Sequence, residues 1–205
     1  TNVTVACGGD DCRLPYDDDS FDSVILNLVF EWCGSRVPEG QAAGQERLLS
    51  HIWRVLKPGG VLWLSTKNRY ALRLLLGGRD EHLHNLRFGS ALPRLVQDIC
   101  ISLIGKGPAP GRLYSYNALR RLMGTHGFTE LRTFVAIPDM RYPERFIEFE
   151  TETAHNACPI DCALGGSTRL TRIVAPWIPA RLVKHVAPGL SFLAKKASTV
   201  SQAWV

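Results

Sequence analysis

No stretch of this chain stays apolar over the roughly 18–20 residues that a membrane-spanning helix needs, and its start shows neither the basic nor the apolar region of a secretory signal. A bilayer span is thereby excluded, and the cytoplasm is the expected location. Cysteine is sparse and scattered: Cys7, Cys12, Cys33, Cys100, Cys158 and Cys162 form no regular framework, and four of them sit in or beside apolar runs where free thiols pack. Three residues beginning with a proline separate Cys158 from Cys162, which is not a zinc-knuckle spacing, so no metal is expected. Acidic residues are missing from Ala163 to the end, where six bases (Arg169, Arg172, Arg181, Lys184, Lys195, Lys196) alternate with apolar residues and Trp177. That segment reads either as a solvated basic face or as a contact for an anionic partner, with peripheral membrane contact as one form. Internal repeats and low-complexity tracts are absent, and nucleic acid is not an expected partner. What is present is an ordinary globular composition, 45% hydrophobic and 21% charged over 205 residues, enough for one domain with one sizeable core.

Hydropathy patterning divides the chain into strands and helices. Asn2–Cys7 reads as a short β-branched strand closed by Gly8-Gly9-Asp10, and the chain looks like one that begins in mid-fold. Ser23–Phe30 is a near-continuous apolar run of the kind buried on both faces of a parallel sheet, interrupted by Asn27. Between Gln41 and Leu56, the residues Leu48, Leu49, Ile52, Trp53 and Leu56 recur at helical spacing, and Lys57-Pro58-Gly59-Gly60 terminates that helix before a strand at Val61–Ser65. Strand, helix, glycine turn and strand in this order predict a parallel crossover with both carboxyl ends on one edge, where open α/β sheets bind ligands. Beyond it, helices are predicted near Tyr70–Leu76, Leu92–Ile104 and Ser115–His126, and strands at Leu131–Ile137 and Ser191–Lys195. Residues 67–112 and 140–188 read as insertions that cap the acceptor side.

Four segments carry a resemblance. Gly9-Asp10-Asp11-Cys12-Arg13-Leu14-Pro15-Tyr16, Ser20-Phe21-Asp22-Ser23-Val24, Asn27-Leu28-Val29-Phe30-Glu31-Trp32 and Leu56-Lys57-Pro58-Gly59-Gly60, in order and at their spacing, resemble successive motifs of class I S-adenosylmethionine-dependent methyltransferases, in particular the methyltransferase type 11-like group. The resemblance implies an α/β, Rossmann-like sheet with helices on both faces and helical insertions after the family's fifth and sixth strands. It further implies that the family's first strands and glycine-rich loop belong before residue 1. A chain lacking them is expected to bind S-adenosyl-L-methionine weakly or not at all by itself.

The same resemblance suggests site residues. The acid matching Asp10, with Asp11, would fix the adenine amino edge through an acceptor and an adjacent backbone donor, unless Asp10 is simply a turn residue. Cys12 and Leu14 would wall the adenine ring or merely pack. The acids Asp17, Asp18, Asp19 and Asp22 are read as structural. Asn27 and Leu28 fall where the family lines the methionine part and the transferred methyl, although Asn27 fits equally well as a satisfied core amide. Glu31 and Trp32 would shape the acceptor pocket. Asn68 and Arg69 would contact a sugar or phosphate, with Asn68 alternatively a helix cap, and Tyr114 and Tyr116 would close the pocket or pack in the core. His82 and His84 are the candidate bases, set against the plain reading of loop histidines on the surface.

Methyl transfer is an in-line displacement that needs no protein nucleophile, and a base helps chiefly when the acceptor is a hydroxyl. The expected function is methyl transfer to a small-molecule or glycan hydroxyl, since residues up to Pro93 resemble methyltransferases associated with bacterial surface polysaccharides. The alternatives are a quinone or lipid methyltransferase and a non-catalytic methyltransferase-like fragment.

Overall fold

A computed structural model describes residues 2–6, 11–138, 140–149 and 169–198. Its centre is a five-stranded sheet. Strand β1 (Phe21–Asn27) pairs in parallel with β2 (Leu56–Lys67) after the intervening helix α1 (Gln41–Val55), as the crossover pattern predicts. The helix terminator Lys57–Gly60 is accommodated as an irregularity in this ladder: Phe21 faces Leu56, but Ser23 already faces Val61. Gly60 sits there because a Cβ would lie 2.8 Å from the Lys57 carbonyl and 3.1 Å from that of Asp22. Short helix α2 (Leu72–Leu75), a two-residue hairpin β3/β4 (Arg79–Asp80 and Leu86–Arg87) and helix α3 (Arg94–Leu103) fill the segment after β2.

Helix α4 (Tyr116–Thr125), capped by the Ser115 hydroxyl, feeds β5 (Phe128–Ile137). Strand β6 (Arg145–Glu148), which hydropathy did not reveal, returns antiparallel to β5. Helices α5 (Arg169–Val174) and α6 (Ala180–Val186) precede β7 (Gly189–Lys196), which inserts between β2 and β5, antiparallel to both. The order β1-β2-β7-β5-β6 gives a mixed sheet with one parallel pair and three antiparallel ones, consistent with a Rossmann-like α/β fold.

One face of the sheet makes the core. Leu62 and Leu64 of β2 and Leu190, Phe192 and Ala194 of β7 pack against Leu49 and Ile52 of α1 and Leu119 and Met123 of α4. Further along the same face, Val135 and Ile137 of β5 meet Leu72, Ala175 and Val183 from α2 and the α5–α6 segment. The opposite face carries Trp63, which contacts the rings of Phe134 and Phe146. Two sequence expectations are corrected here. Residues 2–6 form no strand: Val3 and Val5 are exposed, and among the described residues no neighbouring strand takes their backbone hydrogen bonds. Nor is β1 buried on both faces, since it lies at the edge of the described sheet and exposes Ser23, Ile25 and Asn27. Cys158 and Cys162 lie outside the described residues. Among the described residues, no cluster of metal-ligating side chains occurs and no helix is long and apolar enough to cross a membrane.

Candidate active site

The carboxyl ends of β1 and β2 lie side by side, with Asn27 opposite Ser65 and the Leu28 N–H donating to the Ser65 carbonyl at 2.8 Å. Leu28 then takes a left-handed conformation (φ 54°), and the chain turns into a 3-10 segment, Phe30–Trp32. This reversal separates neighbouring side chains: Leu28 lines one cavity, while Val29 and Trp32 line another.

The Val29 side is a largely apolar hollow of about 510 Å³. Cys12 and Leu14 form one wall and Leu26, Val29, Trp32 and Cys33 the other, with Arg13 and Arg36 among the remaining lining residues. Arg54 places the Leu14 segment here by donating to the Leu14 and Tyr16 carbonyls at 3.0 and 2.7 Å. Asp11 sits on the approach, exposed, accepting from the Arg13 backbone, and Asp10 lies outside the described residues. An apolar slot at a sheet rim, rich in aliphatic and sulfur-bearing side chains, fits the adenosyl part of S-adenosylmethionine. Asn27 does not line it. Its side chain is exposed and has no hydrogen-bond partner among the described residues, which corrects the reading of Asn27 as a satisfied core amide. Burial pushes the Cys33 thiol up to about 11, helped by Cys12 and Glu31.

The Leu28 side is a cavity of about 630 Å³ bounded by the end of β2 (Lys67, Asn68), the β3 hairpin (Arg79–His82), Arg73, Leu113, Met140 and Arg141. Within it, Asp80 and His82 form a buried pair. Oδ1 of Asp80 accepts from the His82 backbone N–H at 3.0 Å and lies 2.9 Å from Nδ1, while Oδ2 accepts from the Ser90 hydroxyl at 2.8 Å. Burial pushes the Asp80 carboxyl up, yet the bonds from His82 and Ser90 outweigh it and hold the group below the usual carboxylate range. The ionised carboxylate can only accept, so Nδ1 of His82 carries a proton, and in the neutral ring Nε2 is the nitrogen with the lone pair. Nε2 is buried and has no partner among the described residues. The ring is fixed from two sides: Trp32 packs over it at 4.4 Å between centroids, and the backbone of Gly111 approaches so closely that a Cβ there would lie 2.6 Å from Cδ2.

Several predicted contacts are spent on structure instead. Asn68 lines the cavity, but its amide donates to the His185 and Ala187 carbonyls at 2.9 and 3.0 Å and accepts from the Tyr70 N–H, so it ties the β2 end to the entry of β7. Arg69 donates to the Ser90 and Leu92 carbonyls and Arg94 to that of Leu113, so these guanidiniums clamp the insertion rather than reach an acceptor. Tyr114 packs on Phe30 and accepts from Arg112, and Tyr116 is a core residue stacked on Phe192. His84 places Nε2 at 3.0 and 3.1 Å from the Gly107 and Pro108 carbonyls. Trp32 lines the hollow on the Val29 side. Glu31 is fully buried behind the rim, where Oε2 accepts from the Thr66 hydroxyl at 2.7 Å and Oε1 has no partner among the described residues. Lys67, Arg73, Arg79, Asp80 and Arg141 lie in the segments that the sequence points to as acceptor-side insertions but are not singled out by it; the signal for Asp80 was its place two residues before His82, where a carboxylate can orient the ring.

Two cavities flank the carboxyl rim of a parallel strand pair, the edge at which open α/β sheets bind ligands. Residues 3–64 match the family model of the methyltransferase domain. It is 32% identical over 119 residues to the biotin biosynthesis bifunctional protein BioHC of Cellvibrio japonicus, a match covering 56% of this chain and 22% of that protein. The chain thus spans about a fifth of that relative. Among solved structures it is similar to an S-adenosylmethionine-dependent methyltransferase, possibly a histamine N-methyltransferase, of Thermotoga maritima (16% identity, 95% of this chain and 64% of the other, TM-score 0.49). A putative sarcosine dimethylglycine methyltransferase of Galdieria sulphuraria is similar at 16% identity, 96% and 60% coverage and TM-score 0.44.

Proposed function

We propose that this domain serves S-adenosylmethionine-dependent methyl transfer to a hydroxyl of a small molecule or glycan, with His82 as general base. The observation that carries the reading is the Asp80–His82 pair, which lines a cavity at the sheet rim and whose ring is oriented and desolvated, its buried Nε2 having no partner among the described residues. Leaving a buried polar atom unpaired costs about 1–3 kcal/mol, a cost that a proton-accepting role at Nε2 explains. The bound cofactor supplies an electrophilic methyl on a sulfonium. Cys12, Leu14, Leu26 and Val29 would hold the adenosyl part, and Leu28, at the turn between the two cavities, would lie where the methyl group meets the acceptor. His82 takes the hydroxyl proton at Nε2, and Asp80 stabilises the resulting imidazolium through Nδ1.

The test is transfer of a labelled methyl group by the full-length protein to a panel of hydroxylated acceptors, comparing wild type with His82→Gln. The reading predicts hydroxyl methylation that collapses in the variant while cofactor affinity persists; hydroxyl methylation surviving in the variant would sink the base assignment.

A second reading, a lipid or quinone acceptor, is favoured by one observation. Around α5 and α6, Leu170, Ile173, Trp177 (84% exposed) and Leu182 are turned to solvent beside Arg169, Arg181 and Lys184. This combination suits an anionic bilayer surface. Flotation with anionic vesicles that vanishes in high salt and in Trp177→Ala would favour it, whereas a glycan enzyme stays in solution.

A further inference from the structure

Four cationic side chains gather on the wall of the 630 Å³ cavity: Lys67, Arg73, Arg79 and Arg141. The two lining acids are already committed, Glu81 to Lys67 and Asp80 to His82 and Ser90. Arg73 spends one guanidinium N–H on the Arg79 carbonyl at 2.9 Å, leaving four of its five donors without a partner among the described residues. The Arg79 side chain has no partner among the described residues. Backbone geometry is adapted to this pairing. Gly77 has φ 84°, and at Gly78 a Cβ would lie 2.6 Å from the Arg73 carbonyl oxygen and 2.8 Å from its Cγ, so only glycine lets the chain double back and set Arg79 against Arg73. The neighbouring Lys67 registers the field: burial and then the charges of Arg141 and Arg73 lower its proton affinity, against the opposing pull of Glu31 and Asp80.

We propose that this wall is an anion subsite in which Arg73 and Arg79, backed by Lys67 and Arg141, bind a phosphate or carboxylate group carried by the methyl acceptor. The proposal rests on the reading of this cavity as the acceptor pocket and narrows that reading to anionic acceptors. Guanidinium groups match the paired oxygens of such anions, and a bound anion relieves the mutual repulsion of the gathered cations. The acceptor is thereby held by a group remote from the reacting hydroxyl, which leaves Nε2 of His82 free for the proton.

The test is titration of the full-length protein with inorganic phosphate, followed by calorimetry and 31P NMR without cofactor. Wild type should bind phosphate with an affinity that falls as salt rises. Arg73→Ala and Arg79→Ala should each weaken it by roughly tenfold to a hundredfold, the value of one charge-assisted contact. Lys57→Ala, at the far end of β2, should leave it unchanged, and circular dichroism should show all variants folded. Absent binding, or binding indifferent to Arg73 and Arg79, overturns the subsite. Competition between phosphate and S-adenosylhomocysteine also overturns it, since the cations would then serve the cofactor's carboxylate. None of these readouts involves methyl transfer, so failure of the subsite and failure of the His82 base are separable.

Discussion

Replacing Asp80 with asparagine removes one charge and keeps the shape. The amide oxygen can still accept from the His82 N–H groups, now 2.9 and 3.0 Å from Oδ1, and the amide NH2 can donate to the Ser90 hydroxyl, which rotates to accept. What disappears is the negative charge facing the imidazolium formed when His82 takes a proton. A hydrogen bond to a charged group is worth about 1.5–3 kcal/mol against about 1 for a neutral one, and the lost attraction between full charges adds to this in a site only 2–3% exposed. A penalty of about 2–3 kcal/mol in the transition state corresponds to roughly 30- to 160-fold in kcat. His82→Gln, which removes the base, should cost about 10²- to 10⁴-fold. The assay is release of S-adenosylhomocysteine under saturating cofactor, with cofactor affinity measured separately by calorimetry. The two effects should not add, because both substitutions disable one proton-accepting unit. Stability gives a second readout. The folded Asp80 carboxyl is held below its unfolded value, so its contribution is complete above the unfolded pKa and is lost as pH falls through the folded one. Asp80→Asn should therefore lower thermal stability at neutral pH and flatten its decline on acidification. If Asp80→Asn keeps kcat within about twofold of wild type while cofactor affinity is unchanged, the pair is not a catalytic dyad.

Gly111→Ala should displace the His82 ring and reduce transfer while leaving cofactor affinity intact, as the new methyl would sit 2.6 Å from Cδ2; measuring kcat and cofactor affinity side by side checks this. Cys33, with a thiol pKa of about 11, should resist iodoacetamide at pH 8, and its labelling by mass spectrometry should rise about tenfold per pH unit toward 10. Lys196→Met should lower Tm by roughly 4–8 °C, corresponding to about 2 kcal/mol in a domain of this size, because its buried ammonium bonds the Leu56 carbonyl at 2.6 Å and Asp19 at 2.7 Å and caps the Trp53 ring; calorimetric melting measures it.

What sequence could reveal was set by range. Leu48, Leu49 and Ile52 announce α1 through local periodicity, and Lys57–Gly60 marks its end because proline and glycine act on their own backbone. The parallel pairing of β1 with β2 followed from the short helix between them, which leaves few other connections. Hydropathy alone could not show that β1 lies at the edge of the described sheet, because the number of its neighbours is a property of the sheet. The candidate site was legible as segments but less so as side chains. Asn68 and Arg69 resemble acceptor contacts until distant carbonyls claim them, those of His185 and Ala187 for Asn68 among them. His82 and His84 look alike in sequence; only the approach of Gly111, Trp32 and Asp80 buries one, while the 107–108 loop occupies the other.

The account stands most directly on the hollow between Cys12–Leu14 and Leu26–Cys33 as the adenosyl-side half of a cofactor site. Calorimetric titration of the full-length protein with S-adenosylhomocysteine tests it, in wild type and in Leu14→Asp and Val29→Asp, which place a charge on each wall. Saturable binding that either substitution weakens by at least about tenfold, as burying an unpaired charge requires, is the predicted result. Affinity unaltered by both, or no binding by the wild type, would contradict it.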